Sequence, residues 1–142
     1  AIDTVSSKLE LIKHAKELNI PIISSMGTGN KLDPSKFEIA DISKTSVCPL
    51  AKKIRKELKS LNIKNVKVLY SKEEPKKDSE EKTIGSISFV PSSAGLLITS
   101  YIIKEFIKNI VKRNCNKQIY NRCYHSGNMQ KFYFNNYQNL TE

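Results

Sequence analysis

Val5, Leu9, Ile12 and Ala15 recur at helical spacing, with Lys8, Lys13 and Lys16 on the other faces, and predict a helix over 5–18. Thr4 is its candidate N-cap. Pro21 disfavours helical backbone at Ile20, so the helix stops near Asn19. Ile22-Ile23-Ser24-Ser25 reads as a short buried strand closed by Gly27, Gly29 and Asn30, and Phe37, Ile39 and Ile42 surround a second. Pro49 suits the first turn of another helix, whose apolar stripe is Leu50, Ile54, Leu58 and Leu61. Val66 to Tyr70 is a third strand, 71–82 a charged surface loop with Pro75, and Ile87 to Val90 a fourth strand. A last helix over 93–110 carries Leu97, Ile98, Tyr101, Ile102 and Phe106 on one broad face. This alternation of strand and helix predicts an α/β fold with a mostly parallel sheet and crossover helices.

Composition narrows the classes. A length of 142 residues fits about one domain, and a hydrophobic content of 39% supports a modest core. Three Cys, an odd number, exclude a complete disulfide framework and point to a reduced, cytoplasmic setting. Residues 1–30 hold no signal-peptide pattern. The uncharged run Thr83–Ile103 is 21 residues long, but only 11 are apolar and its first half is rich in Gly, Ser and Pro, so it predicts no membrane span. Ala1-Ile2-Asp3 reads as the last step of a strand that begins upstream, which marks the chain as a fragment. Residues 111–142 change character: seven Asn and six of the eleven aromatics occur there without period, predicting an unstructured basic tail. Within it, Phe132-Tyr133-Phe134 and Tyr137 suit either docking on the domain or stacking on bases.

The net charge of +10 adds a candidate partner. Lys52, Lys53, Arg55, Lys56 and Lys59 crowd the helix after Pro49, a pattern that fits contact with phosphates or simply a solvated face. Asp3, between a strand end and a helix, sits where open parallel sheets place ligands; a carboxylate there either holds Mg²⁺ against phosphates or caps the helix. Met26-Gly27-Thr28-Gly29-Asn30 is not a dinucleotide fingerprint, because Leu32 takes the place of the third Gly. Its glycines suit a turn with positive φ or a close backbone approach to a ligand. Cys48 before Pro49 is either a thiolate at a helix N-terminus or an inert thiol. Cys115, Cys123 and His125 match no zinc spacing, and the sequon at Asn139 has no meaning without a secretory route.

Taken together, the ordered motifs carry a resemblance. Ala1-Ile2-Asp3-Thr4, Lys8, Ile20-Pro21-Ile22-Ile23, Met26 through Pro34, Asp41-Ile42-Ser43-Lys44-Thr45, Cys48-Pro49-Leu50-Ala51-Lys52, Val68-Leu69-Tyr70-Ser71, Gly85 through Pro91 and Ala94-Gly95 follow one another in family order. Residues 1–110 resemble the C-terminal half of a tRNA threonylcarbamoyladenosine dehydratase, within the ThiF/MoeB superfamily of ubiquitin-activating-like adenylating enzymes. Residues 111–142 have no counterpart.

The resemblance implies a Rossmann-like fold, ATP and Mg²⁺ as cofactors, tRNA as substrate, a cytoplasmic setting and a homodimeric parent. It implies adenylation of the threonylcarbamoyl carboxylate at adenosine 37, then cyclisation with loss of AMP. Asp3 matches the acidic residue that places Mg²⁺ against the phosphates and is the residue expected to be catalytic. Lys8 matches a basic position near the nucleotide, and Gly27, Gly29 and Asn30 match a loop beside the pocket. Lys44, Thr45, Lys52, Lys53 and Arg55 are assigned to the RNA side on charge. The phosphate loop belongs to the other half of the family's domain, so this chain alone is expected to be inactive. Two other readings are adenylation of a ubiquitin-like sulfur carrier, whose paired CxxC motifs and transfer cysteine are missing here, and a non-catalytic basic RNA-binding module.

Overall fold

A computed structural model of the chain describes Ile2, residues 4–74 and residues 84–114. Its elements are α1 (Val5–Glu17), β1 (Ile23–Ser25), β2 (Phe37–Asp41), α2 (Pro49–Ser60), β3 (Lys67–Ser71) and α3 (Phe89–Asn114), with 3₁₀ turns at Pro34–Lys36 and Ile42–Lys44. The chain divides into two units, residues 1–98 and 99–142; the sheet, α1 and α2 all belong to the first.

α1 and α2 stop for the same local reason. Asn19 and Asn62 take left-handed backbone, with φ of 55° and 53°. The N–H of Ile20 then reaches back to the Ala15 carbonyl at 2.7 Å and that of Ile63 to Leu58 at 2.9 Å, while Asn19 and Asn62 donate to Lys16 and Lys59. These are Schellman closures, in which Asn stands in for the usual Gly. In α1 the closure falls where the sequence places the stop, with Pro21 directly after it, where proline cannot continue a helix. Thr4 has the extended backbone of an N-cap, but its hydroxyl donates to Ser7 Oγ at 2.7 Å and caps no amide.

The sheet order is β1-β3-β2. β1 lies parallel to β3 in the register Ile23 to Lys67 and Ser25 to Leu69. β2 is antiparallel to β3, with Phe37 opposite Ser71 and Asp41 opposite Lys67. The sheet is thus mixed: one parallel pair with α2 in its crossover, and one antiparallel edge. β2 reverses because α2 returns the chain to the end of the sheet that it left, where the Ile42 N–H meets the Val66 carbonyl at 2.9 Å.

β3 is the central strand, and Val68, Leu69, Tyr70 and Ser71 are all buried. Val68 and Tyr70 join Ile12 of α1, Ala51, Ile54 and Leu58 of α2, and Met26, Ala40, Ile42, Cys48 and Val66 in one core. Leu69, one step out of phase, points to the opposite face.

The fourth strand expected over Ile87–Val90 does not form. The N–H of Val90 donates to the Ile87 carbonyl at 2.9 Å and Ser92 Oγ to the Ser88 carbonyl at 2.7 Å, which starts α3 at Phe89. Pro91 lacks the N–H a sheet ladder needs and costs nothing in a first helical turn, so the helix wins this segment. α3 continues past residue 110 to Asn114. The rest of the expected tail, Asp3, and most of the charged loop after β3 lie outside the described residues. No helix among the described residues is long and apolar enough to cross a membrane.

Candidate functional site

Because β1 and β3 are parallel, Ser25 and Ser71 end their strands at the same edge of the sheet, the edge where open α/β folds bind ligands. Lys8 reaches this edge from the second turn of α1. It is buried, and its Nζ donates to the Ser25 carbonyl at 2.8 Å. A buried ammonium costs several kcal/mol unless polar groups satisfy it, so α1 presents a fixed cation where β1 ends.

The Met26–Asn30 segment begins at that point. The N–H of Met26 still pairs with the Leu69 carbonyl at 2.8 Å, and the chain then leaves the sheet. Neither Gly27 nor Gly29 takes left-handed backbone, so the positive-φ turn, one of the two uses the sequence allows them, is made instead by Asn30, at 55°. Asn30 also fastens the segment to Gly85. Its N–H donates to the Gly85 carbonyl at 2.8 Å, and its Oδ1 accepts from the Gly85 N–H at 2.9 Å. This brings Ile84 against Gly29 so closely that a Cβ there would collide with Ile84 Cγ2, whereas a Cβ at Gly27 would meet only Leu50 at 3.9 Å. The glycine at 29 thus makes room for the close approach of Ile84, and Asn supplies the left-handed residue.

Glu73, two residues beyond β3, grips the far end of the same segment. Its carboxylate accepts from the N–H of Leu32 at 3.0 and 3.1 Å and from that of Asp33 at 2.9 Å. The Asp33 N–H, followed by that of Leu32 and the charge of Lys31, holds the Glu73 carboxyl below the usual carboxylate range. Burial and the charge of Asp33 oppose that shift. Lys31 is buried and donates to the Glu73 carbonyl. Lys31 falls within the Met26–Pro34 motif without an assigned role, and Glu73 is one acidic residue in a mixed-charge stretch; only the fold brings it to residues 32 and 33.

The residues assigned to an RNA surface divide in two. Lys44, Lys52 and Lys53 are exposed. Thr45 is buried: its hydroxyl donates to the Ile42 carbonyl at 2.8 Å and accepts from Arg55 Nη1 at 2.8 Å. Arg55 Nη1 also donates to the Thr45 carbonyl at 2.6 Å, so this guanidinium braces α2 against the preceding turn. Cys48 is buried at the N-cap of α2 and caps no amide with its side chain. Just before it, Val47 has φ of 55° and the Cys48 N–H reaches the Ser46 carbonyl at 2.5 Å, a tight γ-turn with a β-branched residue in left-handed backbone. Among the described residues, no three His, Cys, Asp or Glu side chains gather as a metal site.

No family model matches the chain. Among curated proteins it is similar to the tRNA threonylcarbamoyladenosine dehydratase of Bacillus subtilis, with 39% identity over 131 residues covering 80% of this chain and 52% of that protein. It also matches tRNA threonylcarbamoyladenosine dehydratase 2 of Saccharomyces cerevisiae, with 29% identity covering 72% of this chain and 29% of the relative. Among solved structures, the Escherichia coli tRNA N6-threonylcarbamoyladenosine dehydratase in complex with ATP superposes with a TM-score of 0.71 at 27% identity, over 80% of this chain and 49% of that one. The chain spans about half the length of the Bacillus subtilis relative and of this solved structure.

Proposed function

Because the chain belongs to the family of tRNA threonylcarbamoyladenosine dehydratases, and spans about half of its Bacillus subtilis relative, we propose that it forms part of an ATP-dependent enzyme that adenylates and cyclises the threonylcarbamoyl group at adenosine 37 of tRNA. The observation that carries the reading is the agreement of sequence and fold along four-fifths of the chain with dehydratases, one of them solved with ATP bound.

The chemistry asks the protein to position two reactants and neutralise charge at the α-phosphate, with no covalent nucleophile. Lys8, fixed at the end of β1, suits the phosphate side of a nucleotide, and Gly27, Gly29 and Asn30 suit the wall beside it. Mg²⁺ keeps several waters and is held by one or two carboxylates plus substrate phosphates. In this reading Asp3 is the protein ligand. Lys44, Lys52 and Lys53 form the RNA-facing cations, and Arg55 with Thr45 sets the position of the helix that carries two of them. A homodimer of the complete enzyme is part of the same reading.

The test is ATP–pyrophosphate exchange with threonylcarbamoylated tRNA, using this chain alone and joined to the part of the Bacillus subtilis relative that it does not match. Exchange in the joined protein alone is the expected result. Silence in both, with tRNA binding retained, would replace the enzyme by an RNA-binding module. In the joined protein Asp3→Asn should cost several kcal/mol of transition-state stabilisation, the order of a metal's Lewis-acid contribution. A near-parental rate would remove Asp3 from the metal site.

A further inference from the structure

The segment between β1 and β2 is held at two places. Asn30 and Gly85 fix its middle through a reciprocal pair of hydrogen bonds. Glu73 fixes its end, and Glu73 is itself fixed. Its N–H donates to Ser71 Oγ at 3.0 Å, and Ser71 is fully buried at the last position of the central strand. Its carbonyl accepts from buried Lys31, and its carboxylate takes the successive amides of Leu32 and Asp33. The Glu73 N–H thus anchors the residue on the end of β3, while its carbonyl and carboxylate hold the loop that leaves β1. Asp33 continues the chain of contacts, accepting from Ser35 N–H at 2.9 Å to start the next turn.

A surface glutamate that merely decorates a loop makes none of these contacts. From this geometry we infer that Glu73 is a positioning residue for the dehydration reaction, its carboxylate setting the conformation of the 26–33 loop that walls the nucleotide side of the site. The inference rests on the functional reading above. Glu73 acts through the loop and touches no reacting atom. Its charge is what makes it effective: a carboxylate offers lone pairs to both amides at once, and charge-assisted bonds of this kind are about twice as strong as neutral ones. A glutamine keeps one acceptor oxygen, and an alanine leaves both amides without a partner.

The charged groups facing the carboxylate are Lys31, which favours its ionised form, and Asp33, which opposes it. The clasp is thus complete near neutral pH. It weakens as pH falls through the lowered value of Glu73, because the protonated acid loses acceptor capacity towards the two amides.

The experiment uses the chain joined to the unmatched part of the Bacillus subtilis dehydratase, with Glu73→Ala and Glu73→Gln variants whose melting confirms a folded protein. Two readouts are taken: kcat and KM for ATP as a function of pH, and hydrogen exchange of the amides from Met26 to Asp33. Misplacing a wall of the site is expected to lower kcat/KM about 10- to 100-fold in Glu73→Ala, with kcat falling. Glu73→Gln should recover part of that loss and show a shallower acid limb than the parent. Exchange should quicken in Glu73→Ala along the whole loop, from Met26 to Asn30 as well as at Leu32 and Asp33. Parental kcat and KM in Glu73→Ala would overturn the inference. So would quickened exchange confined to Leu32 and Asp33, which would make Glu73 a local staple. If the joined parent itself shows no ATP–pyrophosphate exchange, the dehydratase reading fails. The amide readout then decides the clasp by itself, with unchanged protection at Met26–Asn30 in Glu73→Ala overturning it.

Discussion

A methyl group at Gly27 would meet only Leu50 at ordinary contact distance, whereas at Gly29 it would run into Ile84 Cγ2, held there by the Asn30–Gly85 pairing. Overpacking costs about 1–3 kcal/mol, and because Ile84 is itself exposed and able to turn aside, Gly29→Ala belongs near the lower end. Gly27→Ala should stay within about 0.5 kcal/mol of the parent in urea unfolding. Adding Ile84→Ala should return most of the Gly29→Ala loss, and additive single effects would show that the two residues do not meet. Val47 offers the opposite sign. A non-glycine residue in left-handed backbone stores about 1–3 kcal/mol, so Val47→Gly should raise the denaturation midpoint even after the greater freedom of unfolded glycine is counted. A lower midpoint would mean that the γ-turn carries no strain. At this scale the sequence is a partial guide. Turn residues mark where the chain bends, but which of Gly29 and Asn30 takes positive φ depends on Ile84 and Gly85, which are more than 50 residues away.

Amphipathic helices are the elements a sequence reveals best, and α2 shows why. Ile54 and Leu58 of the predicted stripe are buried, since the face that avoids water is set by a period of 3.6, but Leu50 is only half-buried, Leu61 at the C-cap is exposed, and Ala51 takes the remaining core position. Strand direction has no such local signal. β2 runs against β3 because α2 returns the chain to the end of the sheet that it left, which puts Asp41 opposite Lys67, and the segment read as a fourth strand is the start of α3. Arg55 shows a further limit: charge alone placed it beside Lys52 and Lys53, but its guanidinium is bonded to Thr45. The two roles separate by experiment. Arg55→Met should destabilise the protein by about 1.5–3 kcal/mol, the range for hydrogen bonds that involve a charged group. Lys52→Gln and Lys53→Gln should leave stability within about 0.5 kcal/mol and each lower the salt slope of tRNA binding by roughly one unit. An unchanged slope would make α2 a solvated face only. The 3₁₀ turns add a pH dependence. Burial raises the Asp41 carboxyl, but the bonds from Ser43 and the charges of Lys67 and Lys44 outweigh it, and Asp33 is lowered by Ser35. Their contribution is complete above the unfolded carboxylate range and is lost as pH falls through the lowered native values. Acid unfolding should accordingly begin at higher pH in Asp41→Ala than the mildness of that surface change suggests, and coincident acid transitions in variant and parent would remove Asp41 from the account.

Two surface properties of the whole molecule respond to salt in opposite senses. The chain carries a net charge of +10, and its described residues also expose large apolar side chains, among them Ile84, Phe89 and Leu96 in the first unit. Apolar exposure favours association, while like charge keeps copies apart. Raising salt shortens the reach of that repulsion, so sedimentation of the chain alone should show self-association growing from low to high salt, with hydrophobic-dye binding that is already present at low salt. If the chain binds tRNA as proposed, that binding should weaken over the same range, because contacts to phosphates are driven by counterion release. The chain spans about half of the Bacillus subtilis relative, and joining it to the remainder should suppress dye binding and self-association while leaving the salt dependence of tRNA binding in place. Dye binding unchanged by that joining would mean that these apolar residues are isolated surface positions of the ordinary kind. If self-association and tRNA binding both weakened with salt, the association would be electrostatic, through acidic and basic surfaces, and the apolar residues would have no part in it.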